Sequence, residues 1–179
     1  MRGLGLAARF AAVAALGFYA LVAQTLLFRD FFASFEGNEL GIGAFFATWL
    51  LWISLGALAA RGLARWRGAL AAWFHGLALL YLPAYAVQGF LILRARDLAG
   101  VRPYELFPFA SMAGAAFLAN APVSFMTGFL FTAACRWAAD HARLPAARVY
   151  IVETLGGFLG GVAVTGLLWL GLPGESVFL

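Results

Sequence analysis

The stretch VYIVETLGGFLGGVAVTGLLWL, from Val149 to Leu170, decides the fold class. Its one ionisable side chain is Glu153, and every later residue is apolar, hydroxylic or glycine. At ~1.5 Å per residue, a helix of this length crosses the ~30 Å hydrocarbon core of a bilayer. A segment in that solvent has to satisfy its own backbone hydrogen bonds, so it is read as a transmembrane helix.

Working back along the chain, four more runs have the same character, at about 10–28, 39–60, 70–93 and 108–135. Five spans predict an all-α, polytopic transmembrane bundle that fills residues 1–179 as a single domain. Composition agrees, with 64% hydrophobic and only 11% charged residues, against roughly a quarter charged in ordinary globular domains. Such a chain has too little polar surface to face water on all sides. The first run imitates a signal peptide, with Arg2 and Arg9 ahead of an apolar stretch. That stretch continues to Phe28 without a polar cleavage region and is read as an uncleaved span, with cleavage after Ala23 the alternative.

Several residues punctuate the runs. Asn38 and Glu39 suit the start of span two, as a cap for free backbone N–H groups and a negative charge at the positive helix end. Pro83 predicts a kink in span three, and Pro122 a bend in span four. The stretch from Arg136 to Arg148 is the most polar connector.

All 12 basic residues are arginines, and the net charge is +4. Spread over short connectors, that charge does not suggest nucleic-acid binding; it informs topology. With the N-terminus inside, the inner segments hold Arg2, Arg9, Arg61, Arg65, Arg67, Arg136, Arg143 and Arg148, and the outer ones Arg29, Arg94, Arg96 and Arg102. Positive residues favour the cytoplasmic side, so the N-terminus is predicted inside and the C-terminus outside. Arginine without lysine, alongside abundant alanine and glycine, matches a GC-rich bacterial coding sequence, hence a multi-pass protein of the bacterial cytoplasmic membrane.

The polar residues inside the spans are the candidate functional groups. Glu153 has two readings: a proton or cation site, or a packed glutamate paired with Arg136 or Arg61 at the same membrane level. Asn120, Ser124 and Thr127 share one face of span four and suit either helix–helix hydrogen bonding or the lining of a solute path. Gln24 shares a face with Gly17 and Ala20, where it can bond a neighbouring span. Gly156 with Gly160, and Gly157 with Gly161, are small-xxx-small pairs that let another backbone approach closely. Glu153, Gly157 and Gly160 fall on one face, which points the carboxylate into the bundle.

No catalytic residue, cofactor site or metal site is predicted. Cys135 is the one cysteine, so no intramolecular disulfide or CxxC site can form. His75 and His141 are the only histidines, and nothing in their spacing sets them face to face as haem ligands would need.

Three segments carry a family resemblance: Gly17-Phe-Tyr-Ala-Leu-Val-Ala-Gln24 closing on Leu27-Phe-Arg29; Gly37-Asn-Glu-Leu-Gly-Ile-Gly43 leading to Leu55-Gly-Ala-Leu-Ala-Ala-Arg61; and Val149-Tyr-Ile-Val-Glu-Thr-Leu-Gly-Gly-Phe-Leu-Gly160. In this order they resemble the membrane region of the fused spermidine-synthase-like integral membrane proteins. The resemblance implies a bundle similar to half of a major-facilitator transporter, followed by a sixth span and an aminopropyltransferase-like soluble domain. Two departures stand out: Glu153 occupies the place of the family's aspartate, and Ala59, Ala60 and Arg61 stand where the facilitator motif carries an acidic residue. No segment matches the synthase domain, so no catalytic residue carries over.

The sequence therefore suggests a non-catalytic membrane module, an anchor or scaffold subunit of a spermidine-synthase-like polyamine system, working with a protein partner or as a homo-oligomer. The alternative is a transporter-type half-bundle that moves a small solute, with Glu153 and Asn120 as the coupling candidates.

Overall fold

The computed structural model describes residues 6–35, 39–66, 74, 76–102 and 105–171. Its elements are α1 (Leu6–Ser34), α2 (Glu39–Trp66), α3 (Tyr81–Leu93), the short α4 (Ala95–Leu98), α5 (Phe109–Ala142) and α6 (Ala146–Trp169). No strand forms among the described residues. Five helical stretches are long and apolar enough to cross a membrane: Ala7–Ser34, Glu39–Leu63, Gly76–Leu93, Phe109–Asp140 and Ala146–Trp169. Their outer faces carry large apolar side chains in the open, among them Leu51, Leu55 and Leu58 on α2, Leu82 and Phe90 on α3, and Ile151, Leu155 and Leu159 on α6. Apolar surface this extensive suits lipid and not water. The fold is that of a multi-pass membrane protein.

The helices overrun the apolar runs that announce them. α1 continues through Arg29 and Asp30, α2 through Arg61, and α5 through Arg136 and Asp140. Alanine and arginine are strong helix formers, and beyond the hydrocarbon their charge is no obstacle to continuing. The polar connector expected over Arg136 to Arg148 shrinks to residues 143–145. Arg143 ends α5 in the left-handed conformation at φ 52°, Leu144 N–H donates to the Ala138 carbonyl at 3.2 Å, and Pro145 starts α6. The expected kink at Pro83 is instead an interruption one turn earlier: residues 76–78 are helical, Leu79 and Leu80 form a turn, and α3 begins at Tyr81. Proline has no N–H to offer the Leu79 carbonyl, so it is accommodated best in a first helical turn. Asn38, expected as a cap, lies outside the described residues.

Two helix pairs organise the bundle. α1 packs along α6, α2 packs along α5, and α3 lies across α1 and α5. Both pairs are locked by glycine. A Cβ at Gly17 would overlap the Glu153 carbonyl, and one at Gly156 the Ala14 carbonyl. In the other pair, a Cβ at Gly128 would overlap the Ile53 carbonyl, and one at Gly56 the Phe125 carbonyl. The two sets correspond position by position. Gly156 repeats the place of Gly56, Glu153 that of Ile53, Gly128 that of Gly17, and Phe125 that of Ala14. The sequences Ser54-Leu-Gly-Ala-Leu and Thr154-Leu-Gly-Gly-Phe match accordingly, and residues 51–60 and 151–160 share the same order of buried and exposed positions. Consecutive spans alternate in direction, so the α1–α6 and α2–α5 pairs form an inverted repeat about an axis in the membrane plane. Such repeats are a common way to build transporter folds. α3 has no counterpart among the described residues.

An aromatic cluster closes one end of the bundle. Phe31, Phe35 and Phe45 are fully buried; Phe31 stacks on Phe35 at 4.2 Å, and Phe35 meets Phe107 at 4.7 Å. Arg96 covers Phe107 at 5.6 Å and donates to the Glu105 carbonyl at 2.8 Å, tying the α4–α5 connector to this cap.

The glycine lock separates two adjacent residues. A Cβ at Gly157 would meet the Gly17 carbonyl oxygen at 3.5 Å, an ordinary contact, whereas at Gly156 backbone stands in its place. Gly156→Ala is therefore expected to cost about 1–3 kcal/mol and Gly157→Ala almost nothing, read by denaturant titration in micelles; equal stability would contradict the close approach.

Candidate functional site

Between the two glycine-locked pairs lies a cleft of about 610 Å³. Its walls come from all four long helices: Gly17, Leu21 and Gln24 of α1, Trp49 and Ile53 of α2, Thr127 and Phe131 of α5, and Tyr150, Glu153 and Thr154 of α6. Gly17, Ile53 and Gly128 lie near the middle of their helices, so the cleft sits partway along the bundle and away from its ends. The repeat explains why a cleft forms here. The locked contacts pull each pair together along its small-residue face, and the faces turned toward the opposite pair are left apart.

Glu153 is half-buried in the cleft wall. The expected pairing with Arg136 or Arg61 is not formed. Among the described residues the ion pair that does form is Arg94 with Asp97, at 3.1 Å in the exposed connector. Arg61 and Arg136 instead meet in an adjoining groove with Ser54, Leu58, Thr132 and Cys135; Ala57 alone borders both spaces. The reason is helix pairing: α5 lies on α2, which sets Arg136 beside Arg61, while α6 lies on α1.

Gln24 lines the same cleft, and no hydrogen bond to a neighbouring span satisfies it among the described residues. The glycines divide their work differently from the expected single face. Gly156 and Gly160 are buried against α1, Gly160 at the Phe18 carbonyl, whereas Gly157 borders the cleft beside Glu153. Gly161 faces Leu21.

Asn120 stands apart from the cleft and is fully buried. Its Nδ2 donates to the Phe45 carbonyl at 3.0 Å and to Thr48 Oγ1 at 2.8 Å, and its Oδ1 accepts from Gln88 Nε2 at 3.1 Å. One side chain thus ties α5 to α2 and α3. Gln88 completes the link, since its Oε1 accepts from the Val123 N–H at 3.0 Å. That amide follows Pro122, where the helix ladder is already interrupted. Tyr81 adds a second tie, its hydroxyl 2.6 Å from Thr127 Oγ1. Of the stripe on span four, Asn120 and Thr127 are therefore helix-to-helix bonders. Ser124 is buried with no partner for its hydroxyl among the described residues.

Sequence reasoning did not single out Gln88, Tyr81 or Thr48. The available signal was an amide in a span otherwise built of apolar and aromatic residues. Its importance depends on Pro122 from a helix far along the chain. His75 and the side chain of His141 lie outside the described residues. No group of three or more His, Cys, Asp or Glu side chains comes together among the described residues.

Fold and site together define an all-helical membrane bundle with a cleft between its two helix pairs. Set against protein-family models, curated proteins and solved structures, the chain finds no match.

Asn120→Leu removes three interhelical hydrogen bonds, each worth on average ~0.6 kcal/mol within a membrane. The variant should lose roughly 2 kcal/mol of bundle stability in a denaturant titration, and Gln88→Leu should add little to that loss in the double variant, because both act through one network. Full additivity would show that the two amides act independently.

Proposed function

We propose that this protein is a transporter-type half-bundle whose cleft binds a small solute. The observation that carries this reading is the inverted repeat with an ionisable side chain, Glu153, at the cleft between its halves. Secondary transporters commonly place their solute sites at the midplane, where repeats meet. An ionisable group at that depth is costly and is retained where it serves a pathway or a ligand. The cleft is partly open, which suits completion by a second copy or another protein chain.

The resemblance to the membrane region of the spermidine-synthase-like proteins is part of the same proposal, because that region is itself similar to half of a major-facilitator fold. A second reading keeps the bundle as a non-catalytic anchor or scaffold of such a system. The tight backbone contacts at Gly56, Gly128, Gly17 and Gly156 favour it, since they suit a rigid platform. The setting we propose is a bacterial cytoplasmic membrane, with the N-terminus inside on the strength of the arginine distribution.

Two measurements test these proposals. In proteoliposomes the protein should accumulate at least one member of a panel of cationic, neutral and anionic small solutes, and Glu153→Gln should slow that uptake tenfold or more. Failure with every solute, together with stable co-purification of a soluble enzyme, would favour the scaffold. A reporter fused after Leu179 should behave as external, and cytoplasmic activity of that reporter would reverse the orientation.

A further inference from the structure

We infer that the cleft takes a small alkylammonium cation, held by the Glu153 carboxylate and by the aromatic rings of Trp49, Phe131 and Tyr150. This rests on the solute-binding reading above and names the chemical class of the solute. The cleft brings one carboxylate, four aromatic residues (Trp49, Phe131, Tyr150 and Phe158) and the amide of Gln24 around a single space. Phe131 and Tyr150 meet edge to face, with centroids 6.3 Å apart and planes at 89°, and so join α5 to α6 along one wall. Trp49 of α2 lines the same space.

Each part of this arrangement selects for the same chemistry. Aromatic faces attract cations through their quadrupoles, most strongly where water is scarce, and alkylammonium groups are suited to such walls. A charged carboxylate inside a span is costly, and a cationic ligand offsets that cost. Among the described residues no arginine does so, since Arg61 and Arg136 lie in the adjoining groove and form no ion pair with Glu153. The rest of the lining is glycine, alanine, leucine, isoleucine and Phe158, with Thr127 and Thr154 the remaining hydroxylic residues, a mainly apolar wall that accepts alkyl surface. At about 610 Å³ the space is within the ordinary range for a small-molecule site. The inverted repeat sharpens the point. Ile53 occupies the position equivalent to Glu153, so the two halves of the cleft are chemically unequal, and only one presents a charge.

The test is titration of the purified full chain in nanodiscs with tetramethylammonium and tetraethylammonium chloride, followed by calorimetry. Sodium chloride and sodium methanesulfonate serve as controls for ionic strength and for anions. Saturable binding of at least one alkylammonium is expected, weakened tenfold or more in Glu153→Gln and several-fold in Trp49→Leu. Trp49→Leu keeps the test open should Glu153→Gln fail to yield folded protein. Absence of alkylammonium binding, equal affinity in a folded Glu153→Gln variant, or preferential binding of methanesulfonate would each overturn the inference. Alkylammonium binding in nanodiscs without uptake into proteoliposomes would defeat transport and leave the ligand class standing. Uptake confined to a neutral or anionic solute would do the reverse.

Discussion

The close approach of backbones at five glycines is the constraint on which the rest of this bundle depends. In lipid there is little hydrophobic gain from bringing helices together, so packing and polar contacts have to supply the association. At Gly17, Gly56, Gly128, Gly156 and Gly160, a Cβ would overlap a carbonyl of the facing helix. Contact at that distance fixes which helices pair and in what register. It joins α1 to α6 and α2 to α5, although both pairs are distant in sequence.

Polar side chains then take complementary parts. Asn120 and Gln88 are fully buried and satisfy each other and the backbone, fastening α3 and α5 to α2. Leaving either amide without a partner in this environment would be expensive, so the network is a strong specifier of one arrangement. Glu153 and Gln24 have the opposite character: both stand half-buried at the cleft, with no such partner among the described residues. The satisfied amides mark the structural joints of the bundle.

Much of the architecture was legible in the chain. The five apolar runs gave the spans, because a bilayer imposes a length and a polarity that composition records directly. The small-xxx-small pairs of span five gave close packing, and the structure divides their roles, with Gly156 and Gly160 against α1 and Gly157 at the cleft. Helix ends were less legible. Arg61, Arg136 and Asp140 read as connectors by charge but sit in helices, since a change of solvent does not by itself stop a hydrogen-bonded ladder. The expected pairing of Glu153 with Arg136 or Arg61 followed from a shared membrane level, but level gives no azimuth around the bundle.

The sequence by itself determined that the chain is helical and made for a bilayer, because hydropathy and length are local properties of each run. It also contained the correspondence of Ser54-Leu-Gly with Thr154-Leu-Gly, too short to declare a repeat without coordinates. Only the tertiary structure decided that these segments are equivalent members of an inverted pair. It alone set Glu153 in one cleft with Trp49, Phe131 and Tyr150, and it alone set Arg61 and Arg136 in the adjoining groove. The physical reason is that partner choice among apolar helices rests on backbone shape at single glycines and on buried amides. Both acquire meaning only when two distant helices are brought face to face.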